Sequence, residues 1–346
     1  MSAATRELIL QRINKHSVFP NLPIVAFKLN EIVNKESVTY SEIEDIITKD
    51  PVSTAKLLKI VNCSFYGFPQ KISTISKAAL ILGFNVIRTI IITTPMMEAM
   101  KDIDVALWEH ATCCALCSGL IAKKKRIKNP EEVSTAALIQ NIGFLFIRLE
   151  FPLRFFDIMK KIKKENISLL EAETSCLGIN HAEIGAELAR LWNLPPKLVE
   201  AIRYHHVPSQ SKNYQDISSV IHFSDILVSG LGVTSSSDIF VPPLDKPAWD
   251  FLQYDQNELV KFLEDDESKM LWDFSARMGE EFLKRDTTAE EDEKARDITP
   301  IVNIKKKLTF LQKRFAKVAD DPVLVSIMKI IAKHYIEEEK AACQQT

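Results

Sequence analysis

Glycine is scarce, with nine in 346 residues. Sheets and tight hairpins use glycine freely where φ must turn positive, so the scarcity argues for helices joined by short connections. Net charge is nearly absent as well: 44 basic and 46 acidic residues leave -2. That balance exerts no global pull toward nucleic acid or anionic lipid. A long unbroken apolar run is missing. The most apolar stretch, residues 78–100, is interrupted by Asn85, Arg88, Pro95 and Glu98 and is too short between these breaks to span a bilayer. The first 17 residues carry Arg6, Glu7, Arg12 and Lys15 and lack the apolar core of a secretory signal. The expectation is a cytoplasmic protein whose six cysteines are reduced thiols. No glycine-rich phosphate loop, dinucleotide fingerprint or Gly-x-Ser-x-Gly elbow occurs.

What is present is helical periodicity. With 46% hydrophobic and 26% charged residues the chain can build a sizeable core. Val25, Leu29, Ile32 and Val33 form one stripe, Ile43, Ile46 and Ile47 a second, and Val52, Ala55, Leu58 and Val61 a third. Thr39 with Glu42 and Asn180 with Glu183 have capping-box spacing. Asp50 before Pro51 suits an N-cap and first helical position, and Pro195-Pro196 opens another helix. Leu82-Gly83 reads as a helix end at a C-cap glycine, and Asn62 can satisfy loose backbone groups. Residues 89–94 are rich in β-branched side chains, yet helical stripes on both sides favour a helix there.

There is no internal repeat. Residues 230–247, with Ser235, Ser236, Ser237 and three prolines, read as a loop. Acidic patches follow at residues 264–267 and 290–293, and helical periodicity resumes at Leu308, Leu311, Phe315 and Val318. The expected fold is all-α. A helix lies in residues 1–16, a helical body in 17–240 divides near residue 100, and a helical extension covers 241–346.

Two ordered sets of residues resemble one family, the HDOD (HD-related output domain) proteins. The first set is Leu22-Pro23, Asp50-Pro51, Leu57-Leu58, Asn62-Cys63, Tyr66-Gly67, residues 72–75, Ala78 and Leu82-Gly83, similar to the family's N-terminal helical half. The second, from Trp108 to about Ser229, resembles the helical core of the HD phosphohydrolases. Caps and turns account physically for most of the first set.

In the second set the resemblance implies a degenerate metal site. HD enzymes hold a divalent ion with a His, a His-Asp pair and a later Asp, and the ion acidifies a water and polarises a phosphate ester. The matching positions here are His110, Gln140-Asn141 and Asp225. Gln and Asn offer only neutral donors where imidazole and carboxylate are expected, so the usual HD site should hold no metal. Residues 181–206 are similar to the HD-GYP branch, which degrades cyclic di-GMP. There, the histidines matching His181, His205 and His206 help hold further metal, but Val207-Pro208-Ser209 stands where Gly-Tyr-Pro is expected.

A residual metal or anion site from His110, His181, His205, His206 and Asp225 is the alternative to a purely structural polar cluster. In the structural reading, His205 and His206 sit at a helix end, where protonation is favoured and either ring can cap carbonyls. His181 at a helix start would be neutral and hydrogen-bonded. His110, Cys114 and Cys117 are spaced i, i+4 and i+7 on one face, and with Cys113 these thiols are expected to pack as small hydrophobes. The basic runs 123–128 and 160–164 read as solvated helix ends, with contact to a phosphoryl ligand or acidic partner as the alternative.

The resemblance implies a non-catalytic, bacterial signal-transduction module with no catalytic residue and no cofactor, a divalent metal being the lesser option. Its implied partners are signalling proteins such as histidine kinases or components of cyclic-dinucleotide pathways, with no membrane or nucleic acid. Two alternatives remain: a metal-dependent phosphodiesterase using the retained histidines and Asp225, or a degenerate pocket that binds nucleotide or phosphate without turnover.

Overall fold

A computed structural model describes residues 2–14, 24–32, 39–62, 70–234, 240–265 and 300–345. Among these residues the regular structure is helical, with no strand. The N-terminal helices are α1 (Ser2–Asn14), α2 (Ile24–Ile32), α3 (Tyr40–Thr48), α4 (Pro51–Val61), α5 (Ile75–Leu82) and α6 (Phe84–Ile103). The core continues with α7 (Val105–Lys124), α8 (Pro130–Ile139), α9 (Ile142–Glu150), α10 (Pro152–Glu165), α11 (Leu169–Leu177), α12 (His181–Leu191), α13 (Pro196–Tyr204) and α14 (Gln215–Gly230). Then come α15 (Lys246–Leu252), α16 (Gln256–Glu264), α17 (Pro300–Phe315) and α18 (Pro322–Gln345). Of the features read from the sequence, Leu22, Pro23, Val33, Cys63, Tyr66, Gly67, Ser235 to Ser237, residues 266–267 and the second acidic patch lie outside the described residues.

Helix starts follow the side chains that can satisfy loose amides. The boxes Thr39/Glu42 and Asn180/Glu183 both close, opening α3 and α12. Asp50 accepts from the Val52 and Ser53 amides at the start of α4. Gly83 ends α5 at φ 80°, where a Cβ would be strained. The Asn62 amide donates to Leu58 O at 2.7 Å and to Ile72 O at 2.8 Å, and its oxygen accepts from the Ile72 amide, so one side chain stitches two segments.

The β-branched run at 89–94 is helical within α6. Each threonine hydroxyl donates one turn back, Thr89 to Asn85 O, Thr93 to Thr89 O and Thr94 to Ile90 O, at 2.6–2.7 Å. Burial of Ile87, Ile90, Ile91 and Ile92 overrides their strand propensity. The stripe expected on α4 is corrected: Val52 is 59% exposed and Ala55 is exposed, whereas Leu57, Ile60 and Val61 are buried with Ser53. Two apolar lines run along that helix, and packing against α3 and α6 selects the second.

Helix α7 is also strongly apolar. At 20 residues and a mean hydropathy of 1.4 it is long and apolar enough to cross a membrane, but 78% of that window is buried inside the fold. It is a core helix, packed between α6, α8 and α14. Close approach elsewhere depends on glycine. A Cβ on Gly143 of α9 would lie 2.0 Å from His181 O and 2.6 Å from the Gly185 amide nitrogen, so α9 and α12 meet there without a side chain.

The C-terminal helices dock on this core. Helices α17 and α18 pack together and against α14, where Gly230 leaves room for Phe315 and Ile331. Two lysines of the basic run at the end of α7 are engaged by the chain around α15 and α16. Lys124 pairs with Asp265 at 2.5 Å, and Lys125 stands over the Tyr254 ring at 3.8 Å. By contrast, Lys160, Lys163 and Lys164 are exposed near the end of α10.

Candidate functional site

Five stretches of chain bring the expected residues around one small cavity. Helix α7 supplies His110, the α8–α9 junction supplies Gln140 and Asn141, α12 begins with His181, the end of α13 leads into His205 and His206, and α14 supplies Asp225. The cavity is about 30 Å³, and His110, Asn141, His181, His206 and Asp225 line it. That is room for an ion or a water molecule. Polar ligand atoms gather in two trios, His110/Cys114/Asp225 and His181/His205/His206, each within 4.8 Å.

In the first trio, His110 Nδ1 lies 2.8 Å from Val233 O. A carbonyl only accepts, so Nδ1 carries the hydrogen. His110 Nε2 faces Asp225 Oδ1 at 3.0 Å and Cys114 Sγ at 3.5 Å. All three residues are buried. Burial works to raise the Asp225 pKa, but the hydrogen bond and charge of His110 outweigh it and hold the carboxyl below its ordinary value. Burial pushes the Cys114 thiol well up, and the Asp225 charge adds to the rise. Next to that thiol, Gln140 is fully buried, and neither its amide oxygen nor its nitrogen has a hydrogen-bond partner of ordinary geometry. Asn141 stands at the N-cap of α9 but makes no capping bond through its side chain.

The second trio is held from behind. The His181 ring donates through Nδ1 to Glu173 Oε2 at 2.7 Å, and its backbone amide donates to the same oxygen at 2.9 Å. His205 Nδ1 donates to Ile202 O at 2.7 Å, which leaves its buried Nε2 without a partner. His206 Nε2 meets His181 Nε2 at 2.9 Å. Burial pushes the His205 pKa down to about 3, with His181 adding to the effect, and burial also lowers His206 well below its usual value. This corrects the expectation of protonation at the helix end: desolvation outweighs the helix dipole, whereas capping of a carbonyl by His205 is present.

Sequence reasoning gave no site role to three members of this arrangement, and it read Cys114 as a packing residue. Cys114 belongs to the His110 trio, and its one-turn spacing was the available signal. Glu173, eight residues before His181, is a fully buried carboxylate with no pattern to announce it. His222 accepts from the Asp245 amide through Nε2 at 2.9 Å and donates through Nδ1 to His205 O at 2.8 Å, so it ties the end of α13 to the chain entering α15.

The HDOD domain pattern matches residues 19–208, more than half of the chain. The chain belongs to the HDOD domain family. The match covers His110, Gln140 and the histidine trio and stops before Asp225. An HDOD domain protein of unknown function from Geobacter sulfurreducens has a similar crystal structure, with a TM-score of 0.59 and 24% identity, covering 80% of this chain and 98% of that one. A protein from Marinobacter aquaeolei VT8 described as a signal transduction protein superposes with a TM-score of 0.58 at 21% identity, covering 80% of this chain and 66% of that one. These likenesses establish the fold. An uncharacterized protein of Treponema pallidum (strain Nichols) is 24% identical over 214 residues, which is 60% of this chain but 42% of that protein.

The HD superfamily implies a divalent metal, and the donor set decides how far the residues fit it. His110 and Asp225 are in place, but the amides of Gln140 and Asn141 cannot supply the anionic and imidazole donors of the four-ligand HD site. That site does not fit its usual ion.

Proposed function

We propose that this HDOD chain is a non-catalytic regulatory module of bacterial, cytoplasmic signal transduction that acts by binding. Gln140 carries the reading: a buried amide with no hydrogen bond of ordinary geometry lies beside Cys114 at the position where active relatives present a metal-binding pair. Without that pair no hydroxide-generating ion is held in the HD manner, and the module needs no catalytic cofactor. Partners in keeping with the family are signalling proteins, including histidine kinases and components of cyclic-dinucleotide pathways. Contacts would be made by helix surfaces, and neither membrane nor nucleic acid is required.

The test is turnover of cyclic di-GMP and of a generic phosphodiester by the purified chain with added Mn²⁺ or Fe²⁺. No hydrolysis above a protein-free control is expected. Turnover abolished by Asp225→Ala would overturn the reading and establish the phosphodiesterase alternative. That alternative draws support from the histidine trio, whose Nδ1 bonds to Glu173 and Ile202 leave ring nitrogens facing one another. Nucleotide binding without turnover has less support, because a cavity of about 30 Å³ is far below the several hundred Å³ of a small-molecule pocket. Calorimetry against a nucleotide panel should be silent.

A further inference from the structure

We propose that His110, Cys114 and Asp225 form a zinc-class cation site, in which a cysteine thiolate takes over part of the role of the lost His-Asp pair. This deepens the reading above by naming the occupant of the same pocket. It can fail while that reading stands, because binding an ion and hydrolysing a phosphodiester are measured separately.

The spacing of the three donor atoms suits a tetrahedral ion. His110 Nε2 is 3.0 Å from Asp225 Oδ1 and 3.5 Å from Cys114 Sγ. Around tetrahedral zinc the corresponding separations are about 3.4 Å for N to O and about 3.6 Å for N to S, from the usual bond lengths. Shifts of a few tenths of an ångström suffice. The orientation is fixed as well: Nδ1 of His110 is committed to Val233 O, so the nitrogen left to bind an ion is the one facing Cys114 and Asp225.

Charge favours a divalent ion. A thiolate and a carboxylate supply two negative charges, which a divalent cation cancels in a setting where an unbalanced charge is costly. The thiol proton, and any proton on His110 Nε2, leave to solvent on binding. Thiolate with imidazole selects zinc, cobalt or copper over magnesium, which prefers six oxygens. The buried Gln140 amide beside Cys114 makes no hydrogen bond of ordinary geometry to the protein, and the neighbouring cavity of about 30 Å³ has room for an ion or for the water that would complete its shell.

Such an ion would bridge α7 and α14. Through Val233 it would also brace the chain that leaves α14 toward the C-terminal helices. Its role would be to lock the HDOD core to that extension, so that metal supply sets the rigidity of a binding module.

The experiment uses the full chain, stripped with chelator and titrated with Co²⁺ and with Zn²⁺. One equivalent should bind, and the cobalt form should show a thiolate-to-cobalt charge-transfer absorption. Cys114→Ser should abolish that absorption and weaken binding by more than about tenfold, while Cys113→Ala, Cys117→Ala and His205→Ala keep both. Absence of stoichiometric binding by the unmodified chain overturns the proposal. So does a cobalt absorption that survives Cys114→Ser, or an ion lost on His205→Ala but retained by Cys114→Ser, which would place it in the histidine trio. If Cys114→Ser does not fold, the unmodified chain decides with its Cys113 and Cys117 variants: absorption kept in both supports Cys114, and absorption lost in either overturns it. Failure to bind metal leaves the non-catalytic reading intact, and turnover by the metal-loaded chain overturns that reading while leaving the site.

Discussion

The two trios that meet at the cavity keep buried polar groups in opposite ways. Around His181, each ring has a fixed role: Glu173 and Ile202 O hold two Nδ1 hydrogens, and burial keeps His205 and His206 neutral. Around His110 the solution is a charge pair, His110 with Asp225, beside a thiol and an amide that makes no hydrogen bond of ordinary geometry. One side orients its rings through acceptors in the scaffold behind them, and the other pairs an imidazole with a carboxylate beside an amide that lacks a well-formed hydrogen bond.

Gly143 joins the two sides, because α9 leaves the Gln140-Asn141 junction and at once presses on the first turn of α12. Gly143→Ala tests how rigid that join is. Its Cβ would meet backbone atoms of His181 and Gly185, so a helix must move. A loss of more than about 4 kcal/mol is expected, in the range reserved for severe core disruption, read from urea unfolding. A loss below about 1 kcal/mol would mean that the trios are free to shift relative to one another.

The charged side predicts the next effect. In chelator-stripped protein, His110→Ala leaves Asp225 buried without its counter-charge and should cost about 3–5 kcal/mol. Adding Asp225→Ala should recover part of that loss, since the stranded charge is then removed. Additive losses in the double variant would show that the two side chains do not act as a pair.

The neutral side predicts a pH dependence. His205 has a pKa of about 3 in the fold, against 6.5 for a free histidine, and burial also lowers His222. Between these values the unfolded chain binds more protons than the folded one. For His205 stability is therefore full above about pH 6.5 and falls as pH drops toward 3, by about 1.4 kcal/mol per pH unit. His205→Asn keeps a donor for Ile202 O but cannot titrate, so its stability should fall less steeply between pH 6.5 and 4.5, again in stripped protein. An unchanged slope would mean that His205 is already charged in the fold.

Much of this was legible beforehand because it rests on local chemistry. Capping boxes, the helix ends at Asn62 and Gly83, and the helical character of most of the chain follow from a few neighbouring side chains. The positions His110, Gln140, Asn141, His181, His205, His206 and Asp225 could be named because the resemblance supplies their order. The rest depends on tertiary packing. Leu57, Ile60 and Val61, rather than Val52 and Ala55, face the core because of where α3 and α6 stand. Cys114 joins His110 only once α14 brings Asp225 alongside. The neutrality of His205 reflects complete burial, which no spacing reveals, and a sequence argument from helix dipoles pointed the other way.

The smallest expected effect is the one that tells most about the incomplete side. Gln140→Met replaces a buried amide by an apolar side chain of similar length. If the amide is as unpartnered as it stands, the substitution removes an uncompensated desolvation penalty and stability should be unchanged or higher, by up to about 2 kcal/mol. The same substitution in the zinc-loaded chain separates two roles for Gln140. Were its oxygen to complete the shell of an ion held by His110, Cys114 and Asp225, methionine would weaken zinc binding while leaving the stripped protein as stable as before. Were it only a remnant of the altered pair, neither zinc affinity nor stability would fall. A loss of stability in the stripped protein would count against both, since it would mean that the amide is already hydrogen-bonded to a water in the cavity and that the polar group beside His110 is satisfied without an ion.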